Sequence, residues 1–201
     1  MSAKIQGGSV FPNPRLSPSG PLLSGEGGPI IQIGFDQAIF TTDPAVPYVF
    51  PALPVSPGHP TEAEILASKI PRDVNDPTGD FLSVTLRTVK KGSLIAAWFS
   101  FGAIHVGVSD EGMNGACVFA LGFDDGDGND PGLIGFAVQT VVLDTAGQIE
   151  QGSIVTLGPN PYGEQRDVRL FPLAFSSIAN VGEILPVIAQ NALLAAEIAK
   201  V

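Results

Sequence analysis

The chain has 201 residues, enough for one domain of ordinary size to bury a core without disulfide or metal staples. Its formal net charge is −10 and its isoelectric point about 4.4. Such a charge repels phosphate backbones and anionic lipid, so neither nucleic acid nor membrane is an expected partner. Only 15% of residues are charged against 44% hydrophobic, so neutral and apolar groups must cover much of the surface, which points to an oligomer or a stable complex.

Residues 1–59 form a first region, rich in Pro and Gly. Prolines at 12, 14, 18, 21, 29, 44, 47, 51, 54 and 57 forbid long helices and interrupt ladders. Charges are few and Ile5, Val10, Phe11, Leu16, Leu22 and Leu23 are apolar, unlike an ordinary disordered tail, so the stretch reads as an extended arm that wants a surface. Two short strands, Ile30 to Asp36 and Ala38 to Thr42, are candidates to join the main sheet. Proline at every third position from Pro51 to Pro60 favours a polyproline II connector. The start, Met1 to Gly8, lacks an apolar leader core, and no apolar run reaches the ~18 residues of a membrane span, so folding in the cytoplasm is expected.

Residues 60–181 are expected to hold the β domain. It opens on a capping box, Thr61 and Glu64, that starts a short helix which Pro71 must end. From Phe81 to Val89 the pattern alternates, Lys90-Lys91-Gly92 makes a turn, and Ser93 to Phe101 returns as a more fully buried strand containing Trp98, read here as a core residue. Further strands are expected at Ala103 to Val108, Ala116 to Phe123, Leu133 to Leu143, Gln148 to Leu157 and Asp167 to Phe175. Turn-rich segments separate them, which predicts an antiparallel sandwich or barrel. Cys117 stands alone, so no intrachain disulfide can form, and it is expected to pack as a small hydrophobe in a strand.

Residues 182–201 carry a helical pattern. Glu183, Gln190 and Glu197 recur every seven residues as one polar stripe among Ile184, Leu185, Val187, Ile188, Leu193, Leu194 and Ile198, which predicts a buried, Ala-rich C-terminal helix.

The densest chemistry lies between Phe123 and Gly132. Asp124, Asp125, Asp127 and Asp130 repel one another unless a cation or water separates them, and Asp125, Asp127, Asn129 and Asp130 are the candidate calcium ligands. The EF-hand pattern then fails, because the sixth position of the loop is Asp130 rather than Gly and the twelfth is Phe136 rather than Glu. The competing reading is a solvated strand-joining turn rich in residues that tolerate left-handed backbone. Aspartates around Gly126, Gly128 and Gly132 would expel phosphate, which excludes a phosphate loop. No nucleophile elbow and no zinc-protease pair occurs, and His59 and His105 are the only histidines, so no enzymatic activity is expected.

A hairpin closing on Lys91-Gly92, the apolar strand Ser93 to Phe101 and the strand Val118 to Phe123 ending on Asp-Asp-Gly resemble tumour-necrosis-factor-like jelly rolls, including versions on bacteriophage virions. Gly152 to Leu157 and Asp167 to Phe175 would supply its last strands, so the resemblance spans roughly Phe81 to Ser177. It implies a homotrimer that presents loops outward and is attached by its N-terminal segment. The acidic loop and the Ala-rich terminal segment depart from the pattern.

Two functions follow as expectations. One is a non-enzymatic structural component of a large assembly, a virion capsid, decoration or tail protein assembled in host cytoplasm, joined to copies of itself and other subunits through the N-terminal arm. The alternative is a carbohydrate or cell-surface-ligand binding module, with calcium as its potential cofactor.

Overall fold

The computed structural model describes residues 30–40, 60–72, 80–104, 114–142, 149–176 and 189–199. Most of the proline-rich stretch, His59, His105 and the side chain of Cys117 lie outside these. Eight strands are described: β1 (Ile30–Phe40), β2 (Val84–Val89), β3 (Leu94–Ile104), β4 (Asn114–Asp124), β5 (Gly132–Val142), β6 (Ile149–Pro159), β7 (Arg166–Ser176) and β8 (Ala189–Ile198). One helix, α1 (Glu62–Ala67), precedes β2.

The strands form two four-stranded sheets, ordered β1-β8-β3-β6 and β2-β7-β4-β5. Every strand pair with a register is antiparallel. First pairs with eighth, second with seventh, third with sixth and fourth with fifth, as if one long hairpin had been wound up. This is a jelly-roll β-sandwich, the architecture in which two Greek keys protect most sheet edges.

Local chemistry explains the elements. Thr61 caps α1, its hydroxyl accepting the Glu64 N–H while the Glu64 carboxylate accepts the Thr61 N–H, and the helix closes at Ser68, before Pro71. Gly92 takes a φ of 82° in the β2–β3 turn, a conformation that costs glycine little. Period two then sorts β3: Ile95, Ala97, Phe99 and Phe101 are buried between the sheets, and Ala96, Trp98 and Ser100 face out. Phe101 stacks on Phe119 of the opposite sheet at a centroid distance of 4.0 Å, joining a core that includes Leu86, Leu121, Ile154, Leu170 and Leu193.

The C-terminal helix expected from the heptad stripe is not formed across Ala189–Ile198, which is the strand β8 lying between β1 and β3. Its residues alternate instead. Asn191, Leu193, Ala195 and Glu197 are buried, and Ala192, Leu194 and Ile198 are partly exposed. Ala, Leu and Glu favour helix by tenths of a kcal/mol each, a weak bias that pairing on both flanks overrides. The periodicity misled because β8 turns the polar Asn191 and Glu197 inward and Ala192, Leu194, Ala196 and Ile198 outward, the reverse of the polar-out signal of an ordinary strand. Residues 182–188 lie outside the description.

The expected strands Ser93 to Phe101 and Ala103 to Val108 merge at their junction, β3 running unbroken to Ile104. β1, from the region read as an arm, is a full member of the first sheet.

Candidate functional site

At the end of β4 the acidic loop is a set of ion pairs. Asp124 is fully buried; its Oδ1 accepts Arg169 Nε at 2.7 Å and the Gly126 N–H at 2.9 Å, and its Oδ2 accepts Arg169 Nη2 at 2.7 Å and Lys69 Nζ at 3.1 Å. Lys69 also lies over the rings of Phe81 and Phe171, at 4.1 and 4.3 Å from their centroids. Burial pulls the Lys69 ammonium below its ordinary value, against the raising effect of Asp124.

Asp125 is held by its own loop. Its Oδ1 accepts the N–H groups of Asp127 and Asn129 at 3.0 and 2.9 Å, and its Oδ2 accepts Asn129 Nδ2 at 3.1 Å and Arg166 Nη2 at 2.6 Å. The Asn129 hydrogen bond, with the main-chain N–H donors and Arg166, holds this carboxyl well below the usual range despite partial burial. Arg166 also donates to Asp130 Oδ2 at 2.8 Å and stacks over Tyr162, whose hydroxyl donates to the Asp130 carbonyl at 3.2 Å. Gly126 and Gly128, both at φ 96°, and Asp130 at φ 49° supply the left-handed backbone of the loop.

The four candidate calcium ligands are thus close in space, but Asp125 is engaged by amide groups and a guanidinium, Asp130 by the same guanidinium, and Asp127 and Asn129 are exposed. Among the described residues, no group of three or more His, Cys, Asp or Glu side chains is arranged to hold a metal ion. The loop sequence shows the carboxylates without their cations, because Lys69, Arg166 and Arg169 come from a preceding segment and from β7, and only the β4–β7 pairing brings Arg169 opposite Asp124.

The second candidate surface is the outer face of the β1-β8-β3-β6 sheet. One register row runs Phe35, Leu194, Trp98, Val155 across all four strands, and the next runs Ile33, Ala196, Ala96, Leu157. Trp98, expected in the core, is 38% exposed, and Val155 and Leu157 are 74% and 64% exposed. Tryptophan faces outward because its neighbours Ala97 and Phe99 take the inward positions of β3. The adjoining row, Gln37, Ala192, Ser100 and Ser153, adds polar and small residues and no charge. From strand spacing and rise, the two apolar rows measure about 260 Å² in projection and the three uncharged rows about 400 Å², and an exposed apolar patch of a few hundred Å² on a monomer is commonly functional.

The other sheet deals with its outer face differently. Val118, Ala120, Phe171, Leu173 and Phe175 are apolar there too, but Ile65 of α1 packs on them. Residues 68–70 bond along β7 beyond the reach of β2, through Ala174 N–H to Ser68 O at 3.0 Å and Ile70 N–H to Pro172 O at 3.1 Å. That face carries its own cover over β4 and β7 and leaves Phe136 of β5 61% exposed, whereas the first sheet presents Trp98, Val155 and Leu157 together.

The strand order and the two faces define a jelly-roll β-sandwich with an apolar sheet exterior. No protein-family model matches the chain, and no curated protein matches it. Among solved structures it is similar to the Eiger TNF of S. frugiperda, with a TM-score of 0.34 and 8% identity over 56% of this chain. The chain spans 63% of that structure's length. Among the described residues, no helix is long and apolar enough to cross a membrane.

Proposed function

We propose that this chain is a non-enzymatic structural subunit of a large assembly and that it meets copies of itself through the outer face of the β1-β8-β3-β6 sheet. The observation that carries the reading is the row Phe35, Leu194, Trp98, Val155, with the exposure of Trp98 and Val155. Copies with a net charge of −10 repel one another everywhere except where charge is missing, and these rows hold none. Burying Trp, Val and Leu on the same patch supplies about 25 cal/mol for each Å² removed from water. Each subunit of a cyclic oligomer meets two neighbours, so one sheet face and the edge beside it can both be used. A virion is the setting suggested by the sequence's resemblance to phage-borne jelly rolls, with the N-terminal region as the attachment to neighbouring subunits.

The alternative, a carbohydrate or cell-surface-ligand module, gains from the exposure of Trp98. A sugar platform also needs polar groups around the ring to fix hydroxyls, whereas the neighbours of Trp98 across the sheet are Val155 and Leu194. The apolar surroundings favour protein over glycan.

Light scattering on the purified full chain tests the proposal. The expected mass is a multiple of 20.8 kDa, up to a large particle; a single-chain mass at high micromolar concentration would sink it.

A further inference from the structure

β1 is held by polar recognition rather than by burial. Its inward positions are Gln32, Gly34 and Asp36, where β3 inserts Ile95, Phe99 and Phe101. Each of the three is met by a specific partner on the opposite sheet or just before it. Gln32 Oε1 accepts the Arg87 N–H at 2.9 Å, and its Nε2 donates to the Arg87 carbonyl at 2.7 Å and to Glu197 at 2.5 Å. Arg87 sits in the register shift of β2 between Leu86 and Val89, so the Gln32 amide takes both main-chain groups of a residue that the ladder with β7 skips. Gly34 lies so close to Val84 that an added Cβ would stand 2.4 Å from Cγ1. Asp36 accepts the Ser83 N–H at 3.0 Å and pairs with Arg72.

The slot beside β8 therefore reads the pattern Gln-x-Gly-x-Asp on a strand that, among the described residues, has one sheet neighbour. Main-chain bonds for affinity and alternate side chains for specificity are how a domain recognises an added strand. Every copy of the chain offers the same strand. Residues 41–59 join β1 to the capping box and include five of the chain's prolines, at 44, 47, 51, 54 and 57. They span about 60 Å at full extension, against about 40 Å for the diameter of a domain this size, so the connection does not force β1 to dock on its own sandwich.

We propose that β1 is an exchangeable strand: in the assembly, residues 30–40 of one copy occupy the slot beside β8 of a neighbour, and Gln32, Gly34 and Asp36 are its recognition code. The inference rests on the assembly proposed above and adds the element that crosses between copies.

Two differently tagged full chains, both Cys117→Ala, are co-expressed, one carrying Phe35→Cys and the other Leu194→Cys. These positions are register partners on β1 and β8. The expected result is a disulfide-linked dimer containing both tags on a non-reducing gel, lost on reduction. A single chain carrying both cysteines checks that the pair can close, and the pair Ile33→Cys with Ala196→Cys repeats the test two residues along. Phe35 and Leu194 also lie on the proposed contact face, so a mixture of Phe35→Cys with Val155→Cys, three strands from β1, controls for linkage by face contact and should give no two-tag dimer. The proposal is overturned if the double variants close within one chain while neither mixture yields a two-tag dimer, or if the Val155→Cys mixture links as readily. Light scattering on the unsubstituted chain separates the two proposals: a high mass without a two-tag dimer in the mixtures removes only strand exchange, and a single-chain mass removes both.

Discussion

Arg169 grips Asp124 with two parallel hydrogen bonds of 2.7 Å, in a pocket where the carboxylate is wholly shielded from water. The pair joins β7 to β4 at their register match and ties both to Lys69 on the segment that covers the second sheet. A buried charge deprived of its partner is costly. Arg169→Met is therefore expected to lower stability by about 3–5 kcal/mol. The double variant with Asp124→Leu should recover part of that loss, because the buried carboxylate is gone; recovery is incomplete because Lys69 then lacks its anion. Urea denaturation of Arg169→Met, Asp124→Leu and the double variant measures both steps, and strictly additive losses would show that the two residues do not act as a pair.

The acid response has a defined sign. Asp125 is held well below its ordinary value of 3.8, so in the folded state it gives up its proton more readily than in the unfolded chain. Its contribution to stability is fully present above pH 3.8 and is lost as pH falls through the lowered folded value. Asp36 goes the other way: burial raises it above 3.8, against Ser83 and Arg72, so its contribution is present below 3.8 and lost as pH climbs through the raised value. Asp125→Asn should flatten the stability curve on the acid side, and Asp36→Asn should flatten it on the side above 3.8. Stability titrated from pH 2 to 7 for each variant reads these slopes; an unchanged profile in either refutes that assignment.

Calcium supplies a second check on the loop. The Asp125 oxygens already accept four hydrogen bonds, including one from Arg166, whose charge stands where a cation would have to sit. Millimolar calcium is expected to leave the thermal midpoint of the full chain unchanged. A ligand that binds only the folded state raises the midpoint with concentration, so a calcium-dependent rise would show that Asp125, Asp127, Asn129 and Asp130 rearrange around the ion.

Gly34 of β1 faces Val84 of β2 with no room for a side chain between them. Gly34→Ala would force its new methyl against a branched side chain that cannot swing aside, with an expected loss of about 1–3 kcal/mol. Adding Val84→Ala to Gly34→Ala makes room, so the double variant should be more stable than the sum of the two losses. A double-mutant cycle by chemical denaturation reads the coupling; a zero coupling energy would mean that β1 packs elsewhere.

The strand pattern from Phe81 to Phe175 was legible because period two and turn residues coincide there: β4, β5, β6 and β7 each begin and end within two residues of expectation. β8 was not. Its Glu197 looks like one rung of a polar helical stripe, yet in the strand it is buried and bonded to Gln32, Ser93 Oγ and the Lys90 N–H, none of them near in sequence. Trp98 was misplaced for a related reason. Its run is apolar at consecutive positions, and sequence cannot tell a strand buried on both faces from one that turns an apolar face to the exterior. The low charge content did carry the correct hint, since it required apolar groups at the surface without saying which.

Val155 offers the sharpest test of that surface. It is the most exposed of the large hydrophobic residues on the sheet, on the edge strand β6, and so contributes little to its own sandwich. Val155→Asp should change monomer stability by no more than about 0.5 kcal/mol, as for most surface substitutions. In an assembly built on this face the same change places a charge among Trp98, Leu157 and the apolar surface of a neighbour, where desolvation without a partner is expensive. The expected outcome is a fall in particle mass toward the single chain at unchanged circular dichroism. Lys91→Glu, also at an exposed position but in the β2–β3 turn away from the rows, should leave the mass as it was. If both variants keep the wild-type mass, copies meet through some other surface; if both lose it, net charge rather than the sheet face governs association.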